Sequence, residues 1–143
     1  MMTIRSQQVA WVALLAAAVL SGQGGSQILE SECRVGSVVL GRRPPPHPPK
    51  TIALQTDKDG TVRAITVTAS GMFTQRFVTV GQSNVQDVLK RYGKASDVRR
   101  EGNQLVFVYN LKACVIAFGV NNSTGVSIAV EQRPVVFVSL RAR

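Results

Sequence analysis

One short segment of this chain has the periodicity of a helix, while most of its surroundings alternate like β-structure. Val85, Val88, Leu89 and Tyr92 fall at i, i+3, i+4 and i+7, which puts an apolar stripe on one helical face. Ser83 is placed to act as N-cap, and Gln86 three residues on completes a capping box. Asp87 suits the positive start of a helix, Lys90 and Arg91 suit its negative end, and Gly93 supplies a left-handed stop. Water leaves that stripe only if it settles on a β layer. The pattern therefore predicts an α+β fold: a short helix packed on an antiparallel β-sheet.

The strands are read from β-branched runs between turn residues. Thr51–Thr56 and Thr61–Thr68 flank Asp57-Lys58-Asp59-Gly60, a hairpin signal. The Asp-x-Asp-Gly spacing resembles a calcium loop, but Thr66 stands where the bidentate Glu belongs, so that reading fails. Further strands are expected at 34–40, 73–80, 105–109, 113–120, 126–130 and 135–140. Leu105–Tyr109 is apolar on both faces, as a central strand is. Between the first strand and the hairpin, residues 41–50 carry Pro44-Pro45-Pro46-His47-Pro48-Pro49, a stiff extended loop that can pair in no sheet. The first hairpin is faintly echoed by Ile116–Val130, which would make it a degenerate repeat with an extra residue near Arg63-Ala64, a β-bulge.

The amino-terminal segment sets the expected compartment. Arg5 precedes the apolar run Val9–Leu20, and a small, glycine-rich patch follows, the order of a secretory signal peptide. The run is shorter than the ~20 residues needed to span a bilayer. Residues 1–25 are thus read as a signal peptide, 26–33 as a flexible tail, and 34–143 as one exported domain, periplasmic or secreted. Cysteine usage leaves two readings open. Cys33 and Cys114 either form a disulfide, as an even count in an exported protein invites, or are two buried thiols.

The formal charge of +9 falls by only one when Arg5 leaves with the signal. Such a balance favours anionic partners. The chain has five Phe and two Tyr, and its one Trp lies in the signal. That is too few aromatics for the stacking platforms of a nucleic-acid groove. Arg42, Arg43, Lys90, Arg91 and Lys94 are the candidate contact cations.

The segment Val80-Gly81-Gln82-Ser83-Asn84-Val85-Gln86-Asp87-Val88-Leu89-Lys90-Arg91-Tyr92-Gly93-Lys94-Ala95 resembles the pattern G-x-[ST]-x-x-x-V-x-x-x-[LY]-G-x-P. That pattern recurs in small exported domains similar to beta-lactamase inhibitor protein and the small outer-membrane-assembly lipoproteins. Gly81, Ser83, Val88, Tyr92 and Gly93 fit it, whereas Ala95 replaces the usual Pro and no lipid-bearing Cys follows the leader. The resemblance spans about residues 80–130. It implies a helix on an antiparallel sheet and action by contact with another macromolecule, and it transfers no binding residue.

Catalytic chemistry is poorly provided for. His47 is the one histidine and sits among prolines, and no P-loop, dinucleotide fingerprint or G-x-S-x-G occurs. No catalytic, cofactor or metal residue is assigned. The expectation is a non-catalytic domain that binds a protein partner or an envelope component. The alternatives are a structural subunit whose strand Val135–Leu140 completes a neighbour's sheet, and a minimal hydrolase using carboxylates gathered by the fold. The leader reading has a direct check. Intact-mass measurement of protein recovered after export should give an amino terminus at Gly22, Gly25 or Gln27, and an unprocessed mass would reject it.

Overall fold

The computed structural model describes residues 27–125 and 127–143. The expected signal peptide at 1–25 lies outside the described residues. The elements are β1 (Gln27–Leu29), β2 (Arg34–Val35), β3 (Val38–Val39), β4 (Ile52–Thr56), β5 (Val62–Val67), β6 (Phe73–Thr74), α1 (Val85–Tyr92), β7 (Asp97–Glu101), β8 (Gln104–Asn110), β9 (Val115–Asn121) and β10 (Val135–Arg141). Single turns of 3-10 helix occur at Glu30–Glu32 and Val130–Gln132. No helix among the described residues is long and apolar enough to cross a membrane.

The strands form two sheets. The larger has the order β4-β5-β10-β9-β8-β7 and is antiparallel throughout. The smaller has the order β3-β2-β1-β6, in which β1 and β6 run parallel. One face of the large sheet offers Ile65, Val67, Ile116, Phe118, Val120, Val138 and Leu140. Val85 and Val88 of α1 and Ile28, Val35 and Val38 of the small sheet join them in one core. Each such side chain contributes about 1.5–3 kcal/mol when fully buried. Across the opposite face, Val106, Val108, Ala117 and Phe137 form a second cluster. Gly119 has no side chain there because the Phe137 ring lies where a Cβ would be.

The helix begins one residue later than the pattern suggests. Asn84 is the N-cap: its side chain accepts the Asp87 N–H and the Asp87 carboxylate accepts the Asn84 N–H, each at 2.9 Å. The Ser83 hydroxyl instead accepts the Thr79 N–H at 2.8 Å and closes the preceding turn. Gly93 ends the helix at φ 80° and ψ −155°, a region open essentially to glycine alone. The predicted bulge is present. Gln55 pairs with Ala64 and Thr56 with Val62, so Arg63 is the extra residue. Asp57 shapes that hairpin's turn by accepting the N–H groups of Asp59 and Thr61 and the Thr61 hydroxyl.

Five expectations need correction. Residues 27–33 of the expected tail are ordered, because β1 fills the middle of the small sheet and buries Ile28. The single strand at 34–40 is a miniature hairpin, β2 and β3, turning at Gly36. The stretch 73–80 is strand only at Phe73–Thr74, after which the chain turns back and Thr79 bridges Phe73. The strand at 126–130 is absent: residues 127–129 lie outside any strand, and Ile128 is half exposed. The second hairpin of the supposed repeat is therefore not formed, and β9 pairs with β8 and β10 instead. Finally, β10 lies between β5 and β9, so its hydrogen bonds are taken on both sides and it has no edge to donate to a neighbour.

Cys33 and Cys114 are joined in a disulfide, with Cα atoms 6.1 Å apart and 81 positions between them in sequence. The bridge ties the small sheet to the start of β9. In the chain-entropy account a loop of that length contributes about 4–5 kcal/mol. The Cys33→Ser/Cys114→Ser double variant should lose that order of stability in urea unfolding. An unchanged midpoint would mean that the small sheet is held without the bridge.

Candidate functional site

The turn after β1 places Glu30, a carboxylate 4% exposed, against the end of the helix. Burying a charge is costly unless it is hydrogen-bonded. Here one carboxylate oxygen accepts the Gln75 N–H at 2.9 Å, and the other accepts the Tyr92 hydroxyl. The Gln75 side chain returns the contact by accepting the Ser31 N–H at 2.8 Å. The Glu30 carbonyl oxygen lies 3.7 Å from the Cys33 sulfur and 3.5 Å from that of Cys114. A turn, a disulfide and a hairpin thus meet on one residue.

Tyr92 carries this junction into the core. Its ring is 5.0 Å from that of Phe118 and 5.5 Å from that of Tyr109, both in tilted arrangements. The Arg76 guanidinium lies over the Tyr92 ring, 4.8 Å from its centroid, and its Nη1 donates to the Arg91 carbonyl. Burial pushes the Tyr92 phenol well above its usual range, and the hydrogen bond to Glu30 pushes the same way. Burial also raises Tyr109, whose hydroxyl donates to the Gly93 carbonyl at 2.8 Å.

Beside the junction opens a cleft of about 710 Å³. Glu30 and Ser31 form one wall, Gln75 and Arg76 a second, and Leu111, Lys112 and Ala113 the third. The second wall is the tip of a tight hairpin. The Phe77 N–H donates to the Thr74 carbonyl at 2.9 Å, the Thr74 N–H to the Val78 carbonyl at 3.0 Å, and the Val78 N–H to the Thr74 hydroxyl at 3.1 Å. Phe77 itself has φ 66°, left-handed backbone in which Gly is the usual occupant of such a turn. A side chain there costs about 1–2 kcal/mol. The ring is nevertheless 64% exposed and stacks only on Phe73, with centroids 6.4 Å apart.

The structure brings together some of the predicted cations and separates others. Lys90, Arg91 and Lys94 are exposed at the end of α1, where Arg76 and Lys112 join them. Arg42 and Arg43 are exposed too, but they sit beside β5 and the Asp57–Gly60 turn. The ion pairs among the described residues are Arg34–Glu32, Arg99–Asp97 and Arg141–Glu101, and none of them involves Arg76, Lys90, Arg91, Lys94 or Lys112. His47 is exposed, and no three His, Cys, Asp or Glu side chains gather as around a metal ion among the described residues. Glu30, Arg76, Phe77 and Lys112 were missed in the sequence. Only Phe77 left a trace there, as an aromatic directly after a cation.

The raised Tyr92 phenol fixes a sign. A group protonated more firmly in the folded state adds stability below its unfolded pKa of about 10 and loses it as the pH rises further. Unfolding free energy should therefore fall above about pH 10. Tyr92→Phe should remove most of that alkaline fall, leaving the share due to Tyr109. At neutral pH it should cost about 1.5–3 kcal/mol, the worth of a hydrogen bond to a charged group. An alkaline profile unchanged by the substitution would contradict this assignment.

No family model matches the chain, and no curated protein matches it. Among solved structures, a DUF4309 family protein (YjgB) from Bacillus subtilis subsp. subtilis str. 168 is similar at a TM-score of 0.48 and 16% identity, over 73% of each chain. That likeness is too distant to assign a family or a function.

Proposed function

We propose that this protein is an exported, non-catalytic domain that binds an anionic component of the cell envelope through the end of its helix. One observation carries the reading. Arg76 reaches the end of α1, where Lys90, Arg91 and Lys94 are exposed, Lys112 shares its cleft, and none of these five takes part in an ion pair among the described residues. Cations in excess over the nearby carboxylates set up a field that attracts anions. The helix adds the carbonyl ends of its peptide dipoles at this point, which the cations offset.

Export is supported by the leader-like order of Arg5, Val9–Leu20 and the glycine-rich patch. The Cys33–Cys114 disulfide suits the same compartment, since such bridges persist where conditions are oxidising. The resemblance of the Val80–Ala95 segment to contact-making exported domains points the same way. A carboxylate-dependent hydrolase would need two acids facing one cleft, whereas Glu30 is the one acid on the walls and both its oxygens are engaged.

Binding to a sulfated dextran matrix tests the reading without presupposing the natural ligand. Retention should be strong at 0.01 M salt, where charges act over about 30 Å, and lost near 1 M, where they act over about 3 Å. The Lys90→Gln/Arg91→Gln/Lys94→Gln variant should elute at clearly lower salt, whereas Arg42→Gln/Arg43→Gln should elute nearly as the parent does. Equal elution of both variants would remove the helix end from the contact surface.

A further inference from the structure

The hairpin tip at Gln75-Arg76-Phe77 carries information that the basic surface alone does not. We infer that Phe77 is a membrane anchor, inserted into the interfacial layer of an anionic lipid surface while the helix-end cations hold the headgroups. The inference rests on the proposed basic contact surface and assigns it a lipid partner.

Three observations lead to it. First, among the described residues Phe77 is the most exposed of the large apolar side chains at 64%, followed by Ile128, Val98 and Leu89. Second, its backbone is left-handed, so glycine would serve the turn better; the closing hydrogen bonds come from backbone groups and the Thr74 hydroxyl, and none needs the ring. A ring that strains its own turn and covers little of the core has its use outside the fold. Third, the residue before it is Arg76, whose guanidinium reaches the end of α1 and so fixes the tip beside Lys90, Arg91 and Lys94. Leu89, 37% exposed, directly precedes Lys90 and Arg91 on the helix.

The chemistry favours lipid over protein. Aromatic rings settle at the headgroup level of a bilayer, and neighbouring Lys and Arg side chains reach its phosphates. A protein interface of ordinary size needs about 800 Å² per partner around an apolar centre. At this tip the aromatic follows directly on Arg76, which reaches the basic end of α1, an arrangement that matches a negatively charged interface with a greasy layer beneath.

The test uses protein recovered after export and two kinds of vesicle, pure phosphatidylcholine and phosphatidylcholine with phosphatidylglycerol. Phe77→Gly should fold with an unchanged or higher thermal midpoint, because the turn is relieved. It should nevertheless bind the anionic vesicles about tenfold more weakly or worse, the share of one buried Phe side chain. Lys90→Gln and Arg91→Gln should each lose about fivefold. Phe77→Trp provides a second readout: its indole emission should move to the blue on anionic vesicles and stay unmoved on phosphatidylcholine alone. Anionic-vesicle binding equal in Phe77→Gly and parent overturns the anchor and leaves a purely electrostatic surface. Retention on sulfated dextran with no vesicle binding overturns the lipid partner alone. Failure on both matrices overturns the basic contact surface as well.

Discussion

Tyr92 is the side chain on which the two sheets and the helix depend for their mutual placement. Its ring lies against Phe118 and Tyr109 of the large sheet, and its hydroxyl reaches Glu30 beside the small one. Its other neighbour, Arg76, belongs to the hairpin that follows β6. The small sheet is made of strands two or three residues long, far below what holds together alone in water. It owes its position to attachments: Ile28, Val35 and Val38 in the shared core, the buried Glu30 carboxylate, and the Cys33–Cys114 bridge.

The distribution of charge follows from how the acids are employed. Glu30, Asp57 and Asp87 each hold backbone N–H groups, with the Tyr92 and Thr61 hydroxyls on the second oxygens of Glu30 and Asp57, fixing a turn, a hairpin and a helix cap. Glu32, Asp97 and Glu101 pair with arginines elsewhere on the surface. With eight acids against seventeen cations in the chain, little is left to neutralise the helix end. On the proposed reading, the basic surface is a by-product of carboxylates committed to architecture, and the hairpin tip supplies the apolar element that charge alone lacks.

Legibility in the sequence tracked how far each segment follows a single periodic rule. The helix, the β4–β5 hairpin with its bulge, and strands β8, β9 and β10 all show apolar residues at the spacing their geometry requires. Strand β7 gave no such signal: Asp97, Val98, Arg99 and Arg100 are exposed on an edge, so neither face demanded apolar residues. Strand β1 is too short for alternation to show, and Glu30 reads as tail until the fold encloses it. Residues 126–130 misled in the opposite direction, since their alternation has no neighbouring strand to pair with at 127–129. Of the proposed contact surface, Lys90, Arg91 and Lys94 were readable from their place at a helix end. Arg76, Phe77 and Lys112 were not, because only tertiary packing brings them there.

The central place of β10 has a consequence for how the molecule comes into being. The halves of the large sheet, β4–β5 on one side and β7–β9 on the other, emerge in order, yet they have no ladder in common until residues 135–141 slot between them. A nascent chain lacking that keystone exposes two unfinished edges and half a core. The large sheet therefore closes only once residues 135–141 are in place.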